Sequence, residues 1–453
     1  MQEEEKLDPQ TRRVVIALVF GSILPLLDIS IVNVAIHSIS EAFNAPIVLA
    51  QWVITSYGLA STMAIPLSSW ATRRFGAKNL WIAALAIFTV ASILCAVSAH
   101  IDMLIAFRVL QGFAAGFSVA VMQTLIVTNA GKDQATRAIT AIGLPAVIAP
   151  AVAPLLGGML VDAIGWRAIL LINVPIGIAA IALAAHYLER TPADPAAQLD
   201  RTGYLLLAPG LLTAVYGFTT IGHMNSWTSI ILLAAGAGLI GYFVLHALRA
   251  PSPLIDVRLF THASFSSAWA TLAIASTVFY GGLFLIPLHY QSSYAYTALH
   301  AGLLLALQSV GAYFSRSASE KFIARWGTRK TVYMCIAAAI IGTLPFAFPT
   351  GQAAGWLILQ GCGLFVRGGG IGALTVLTMS ATYHGLTKDE VVHASAAGHI
   401  ATQLGSALGV SVCTVLMTLT HGIGWTTFAY FTVFTTLMAA TATRLPSGTV
   451  VRK

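Results

Sequence analysis

The sequence is short of charge. Asp, Glu, Lys and Arg together make up 9% of its 453 residues, against about 25% in ordinary soluble domains. A chain that poor in charge is excluded from the soluble globular class. It also lacks the alternating segments of about ten residues that mark an outer-membrane barrel. No Walker-type glycine loop is present, which excludes ATP-driven transport by this chain. Cysteine is scarce, and Cys95, Cys335, Cys362 and Cys413 form no CxxC pair. Each lies in an apolar run and reads as a small buried hydrophobe, with no disulfide framework and no metal site expected. Clustered acids, Ser/His pairs and metal ligands are missing too, so neither an enzyme nor a cofactor is expected. The net charge of +8 is spread over short loops, a pattern of membrane orientation and not of nucleic-acid binding. The stretch from Met1 to Arg13 has no small-residue cleavage site and reads as a cytoplasmic tail before an uncleaved first span.

What the chain has is apolar length, 57% of it hydrophobic. Runs long enough for a transmembrane helix, about 20 residues, lie at 13–36, 48–71, 80–99, 102–128, 138–162 and 167–188. A polar linker from Glu189 to Thr202 follows, then spans at 203–221 and 228–248. Six more lie at 266–290, 298–319, 331–348, 353–381, 393–418 and 425–443. The expectation is an all-α polytopic membrane protein of fourteen spans: a six-helix bundle at 1–190, a linker with two additional transmembrane helices at 191–260, and a second six-helix bundle at 261–453.

With both termini in the cytoplasm, all but four of the 24 Lys and Arg residues fall on the inner side, as the positive-inside rule requires. Arg167 lies in an outer loop, and Arg108, Arg316 and Arg367 lie within spans. Arg316 is near an inner end and is expected to snorkel. Among the 16 acids only Asp28 sits well inside a span. An ionisable group there is costly, so by default it suggests function. An internal repeat is also visible. Arg74-Phe75-Gly76-Ala77-Lys78 after the second span matches Arg325-Trp326-Gly327-Thr328-Arg329 after the tenth. Duplicated six-span halves are a common plan of secondary transporters, with the binding site between the halves.

At these residues the chain resembles the fourteen-span drug:proton antiporter family of the major facilitator superfamily. Leu27-Asp28-Ile29-Ser30-Ile31-Val32-Asn33-Val34-Ala35-Ile36 is similar to that family's first-helix motif. Ala106-Phe107-Arg108-Val109-Leu110-Gln111-Gly112 matches its fourth-helix pattern, and Pro154-Leu155-Leu156-Gly157-Gly158 the end of its fifth-helix antiporter motif. Trp166-Arg167 with Ile172-Asn173-Val174-Pro175-Ile176-Gly177 resembles the start of its sixth helix. Arg367-Gly368-Gly369-Gly370-Ile371-Gly372 and Gln403-Leu404-Gly405-Ser406 resemble second-half segments. Ala153 replaces a glycine of the antiporter motif, and Thr72 and Ala324 stand where the loop motifs carry an aspartate. The resemblance implies the major facilitator fold in a bacterial cytoplasmic (inner) membrane, and multidrug efflux driven by the proton gradient.

Proton coupling needs a group that exchanges a proton with either side. Desolvation favours the neutral acid and a nearby cation favours the carboxylate, an arrangement that Asp28 and Arg108 fit. Counted from the outer helix ends, Asp28 is roughly eight residues deep and Arg108 about six, which predicts contact at about 1.5 Å per residue. Asp28 is read as the proton carrier and Arg108 as its tuning cation. Asn33 is turned about 140° from Asp28 and is expected to bond a neighbouring helix. Gly143, Pro145, Pro150, Pro154, Gly157 and Gly158 predict a kinked, closely packed fifth helix. In the family such a helix is associated with antiport. Gly112 is read as packing. Arg367 could contact substrate, lipid or the carbonyls of a loosened helix. Candidates for the cavity wall are Trp52, Tyr57, Gln111, Gln123, Tyr280, Phe284, His289, Gln308, Arg367, His399 and Gln403. Large pockets with aromatic walls and sparse polar groups suit lipophilic or cationic ligands.

The expected function is export of small amphipathic, cationic or lipophilic compounds by proton antiport. A dedicated metabolite or siderophore exporter, or a substrate:proton symporter, are alternatives on the same fold. The expected partners are substrate, protons and the lipid bilayer, with the chain monomeric. Some relatives work with a periplasmic adaptor. The short final outer loop, Thr418 to Trp425, argues against a large docking surface for one.

Overall fold

The computed structural model describes residues 8–221, 226–251, 253–346, 354–382, 388–420 and 425–444, with side chains except at 123, 127–128, 130–151, 226, 317, 320, 380, 388–393, 395, 425–427 and 444. These residues are almost entirely helical, and no strand occurs among them. The first part comprises α1 (Pro9–Ala42), α2 (Ile47–Ala50), α3 (Trp52–Phe75), α4 (Ala77–Ala96), α5 (Ile101–Ile164), α6 (Ala168–Leu171) and α7 (Asn173–Tyr187). Next come α8 (Arg201–Thr219) and α9 (Ser226–Arg249). Then follow α10 (Ala263–Tyr294), α11 (Ala298–Trp326), α12 (Thr328–Thr343), α13 (Ala354–Ala381), α14 (Lys388–Leu419) and α15 (Trp425–Thr441). Eleven helical segments among the described residues are long and apolar enough to cross a membrane, and Val152–Ile164 and Phe428–Thr441 are shorter apolar helices.

Local chemistry sets the helix ends. Asp8 caps α1 by accepting from the backbone N–H groups of Gln10 and Thr11, both at 3.1 Å, and Pro9 takes the first position, where no N–H is needed. The N–H groups of Thr11 and Gln10, with the Thr11 hydroxyl, hold the Asp8 carboxyl below its ordinary range. The internal repeat recurs in the backbone. Gly76 (φ +82°) separates α3 from α4, and Gly327 (φ +78°) separates α11 from α12. Both take a left-handed conformation that strains other residues, so each Arg-aromatic-Gly motif makes the same sharp break between two helices.

Helix α5 covers both stretches expected as spans, 102–128 and 138–162, and is helical through Lys132 and Arg137 between them. A straight helix of 64 residues would be about 96 Å long. Yet Arg167, just past its end, donates from Nε to the carbonyl of Ala96 (3.1 Å) and from Nη2 to that of Ser98 (3.3 Å), just before its start. The element therefore doubles back, and its arms 101–126 and 152–164 run antiparallel.

Around that doubled helix pack α1, α3 and α4, with α7 against α1 and α4, while α13 packs with α11 and α12, and α14 with α10. The two sets meet where α5 touches α11, α3 touches α14 and α1 touches α10. Small residues permit the approach. A Cβ at Gly112 or Gly116 would strike the α3 backbone at Tyr57 or Ser61, and one at Gly158 would strike Ala298 and Leu299 of α11.

Cys362 departs from its expected burial. It is exposed on the face of α13 that also turns Ile358, Leu359, Phe365 and Val366 outward. Half-buried Arg316 donates from Nε to the carbonyl of Gly372 at 3.2 Å.

Candidate functional site

The buried polar cluster of the first half is assembled by five helices. Asp28 on α1 and Arg108 on α5 are each 1% exposed and form an ion pair through Oδ2 and Nη1. Arg108 and Gln111 are three residues apart, which puts them on one helix face. Arg108 Nη1 donates to Gln111 Oε1 at 2.7 Å. The Gln111 amide nitrogen is shared between Asp28 Oδ1 (3.1 Å) and Ser92 Oγ of α4 (2.7 Å). Asn173, the first residue of α7, donates to Asp28 Oδ1 at 2.9 Å. From α3, one helical turn supplies the carbonyl of Val53, which accepts from Arg108 Nε at 2.9 Å, and the ring of Tyr57, 4.2 Å from the guanidinium carbon.

Asp28 thus accepts from three side chains as a carboxylate. Charge-assisted bonds of this kind are the strong ones. Adding a proton cancels the ion pair and leaves the guanidinium with Val53 O and Gln111 Oε1 as its uncharged acceptors. One proton therefore changes the interactions of α1 with α5 and α7 together.

Sequence reasoning did not assign Asn173, Ser92 or Val53 a part in this cluster. Asn173 is a lone amide in an apolar run, a signal that was available. Val53 acts through its backbone and leaves no trace in residue type. Asn33 departs from expectation, because its amide donates to the Ile29 carbonyl of its own helix instead of to a neighbour. Carbonyls four residues back are within reach of short polar side chains.

The expected cavity residues are dispersed. Tyr57 and Gln111 belong to the Asp28 cluster, while the Trp52 ring packs 5.6 Å from Tyr216 of α8. Phe284 is fully buried in the hydrophobic core of α10. Tyr280 is half-buried, edge-on to Phe279 at 5.2 Å, and His289 lies between Tyr294 and Phe428, both at 5.1 Å. Gln308 and Arg367 are bonded to each other. His399 and Gln403 lie half-buried on α14, where the Gln403 carbonyl approaches Gly58 of α3. Gly157 packs on Ile31, and the Pro154 carbonyl on Gly302. The side chains of Gln123, Pro145 and Pro150, and Gly143 with them, lie outside the described residues. A cavity of about 290 Å³ opens elsewhere, between α8, α9, α10 and α14, lined by Leu207, Leu211, Phe243, Trp269 and Ile400 among others. None of the expected residues lines it. Among the described residues no group of three or more His, Cys, Asp or Glu side chains comes together.

Comparison with known proteins agrees with this architecture. The sequence profile described as Major Facilitator Superfamily matches residues 18–410. The chain is 31% identical over 418 residues to the multidrug resistance protein B homolog of Mycobacterium tuberculosis, covering 91% of this chain and 77% of that protein. It is 28% identical over 429 residues to the multidrug export protein EmrB of Escherichia coli, covering 92% and 82%. Among solved structures, a D-xylose-proton symporter superposes with a TM-score of 0.71 at 12% identity, covering 96% of this chain and 98% of that one. A POT family peptide transporter gives 0.71 at 14%, covering 98% and 99%.

Proposed function

Because the chain belongs to the major facilitator superfamily, with that family's fold in the cytoplasmic membrane, we propose that it is a multidrug efflux transporter, a proton-coupled antiporter that exports small amphipathic compounds by alternating access. Its topology in this reading is two six-helix bundles, 1–190 and 261–453, joined by a segment with two added spans, fourteen in all, with both termini cytoplasmic. It works as a monomer and needs no cofactor beyond the proton gradient.

The observation that carries the reading is the Asp28 cluster, a buried carboxylate held by Arg108, Gln111 and Asn173. Protonation from the outside releases the ion pair, and deprotonation to the inside restores it. Breaking a buried pair by removing one partner costs about 3–5 kcal/mol. Moving a two-state equilibrium from 1:99 to 99:1 takes about 5.5 kcal/mol. One proton at this cluster is therefore of the right size to drive most of the population from one access state to the other.

Support also comes from relatives named multidrug resistance and multidrug export proteins. Purified protein in proteoliposomes, with a pH gradient imposed and a lipophilic dye as cargo, tests the proposal. Wild type moves the dye against its gradient only while the pH gradient lasts. Accumulation indifferent to the pH gradient rules out antiport.

A further inference from the structure

The second half repeats the cluster of the first with one part missing. Arg367 on α13 is 1% exposed. Its Nη1 donates to Gln308 Oε1 of α11, and its Nη2 to the carbonyl of Val278 of α10 at 2.7 Å. The guanidinium carbon lies 4.7 Å from the ring centre of Phe431. Arg108 has the same kinds of neighbours: a glutamine Oε1, a backbone carbonyl, and an aromatic face at 4.2 Å. What Arg108 has in addition is Asp28. Among the described residues Arg367 forms no ion pair.

A guanidinium carries five N–H donors in a fork matched to a carboxylate. Arg367 Nε and Gln308 Nε2 are both buried, and neither has a hydrogen-bond partner among the described residues. Donors from two helices thus stand unmet around one uncompensated cation. A backbone role alone does not account for them, since Val278 O occupies a single N–H. Nearby, Cys413 and Tyr430 are engaged with each other at 3.4 Å, and Gly282 leaves no side chain between α10 and the guanidinium.

We infer that Arg367, with the Gln308 amide, binds a carboxylate carried by the transported compound and so supplies in the second half the ion pair that Asp28 supplies in the first. This rests on the transport reading above and sharpens its substrate class to lipophilic acids, away from cations. The site is closed in this structure, so the acid reaches it in a state in which the helices around Arg367 have parted.

The test is equilibrium binding of pyrenebutyrate and of its uncharged amide to the detergent-purified full chain, followed by quenching of tryptophan fluorescence. The acid binds wild type at least about tenfold more tightly than the amide, the scale of a charge-assisted contact. Arg367→Gln removes that preference. So does Gln308→Glu, which supplies an internal carboxylate and keeps the cation neutralised, guarding against misfolding of the first variant. Size-exclusion profiles check that both variants remain folded. Absent or equal binding of acid and amide to wild type overturns the inference, as does a preference that survives Gln308→Glu. No proton gradient enters the assay, so its failure is separable from failure of the antiport reading.

Discussion

Asp28 and Asn173 are separated by 145 positions in the chain and by 2.9 Å in the fold, where the Asn173 amide donates to the Asp28 carboxylate. The bond ties the first helix to α7 at the point where the only ion pair between described residues of two membrane helices is formed. It gives the carboxylate an uncharged donor, and the bond is stronger while Asp28 is ionised.

Removing that donor weakens the ionised state. A hydrogen bond to a charged group contributes about 1.5–3 kcal/mol. Asn173→Leu lowers thermal stability in detergent by an amount of that order, and lowers pH-driven uptake in the same vesicle assay. Unchanged unfolding temperature and uptake mean that the bond has no role.

The ion pair itself is open to a double-mutant cycle. Arg108→Ala leaves a buried carboxylate without its cation, at a cost of about 3–5 kcal/mol. With Asp28→Asn already in place the same change costs much less, because the charge is gone. Denaturation midpoints of the four proteins give the interaction energy, and simple additivity contradicts the pairing.

Glycines separate packing from propensity. Gly112→Ala pushes a methyl group into the backbone of Tyr57, and overpacking of this kind costs about 1–3 kcal/mol. Gly238→Ala on α9 meets nothing within 4 Å and gains about 0.5–1 kcal/mol of helix propensity. Thermal unfolding of the two variants moves in opposite directions.

The Asp8 cap has a pH signature. Its carboxyl is held below the ordinary range in the folded chain, so its contribution is present above the unfolded value, about 3.9, and is lost as pH falls through the folded value. Asp8→Ala speeds amide exchange in the first turn of α1 at neutral pH. The difference from wild type closes as the acid range is entered.

How much of this was legible depended on charge. Asp28 stood out because a single acid in an apolar run has no neighbour to hide it, and helix rise alone led to Arg108. Asn173 was not picked out, since an uncharged amide on a distant helix has nothing in its own stretch to mark its partner. Phe284 and Trp52 fit an amphipathic wall by residue type. Type does not reveal which face of a helix a side chain takes, and they settled in the core and against Tyr216. The repeat was legible as a motif, and Gly76 and Gly327 show why it is spelled with glycine, because both need a positive φ. The pairing of Gln308 with Arg367 was hidden, because it joins two helices of the second half by side chains that were each read alone.

The central claim is that Asp28 carries the coupled proton. Its most direct measurement is dye accumulation in proteoliposomes under an imposed pH gradient, wild type beside Asp28→Asn, with dye exchange at equal pH as the control for folding. The account predicts that Asp28→Asn still exchanges dye at equal pH but no longer accumulates it when the gradient is applied. Accumulation by Asp28→Asn equal to that of wild type, with the same dependence on pH, would contradict it.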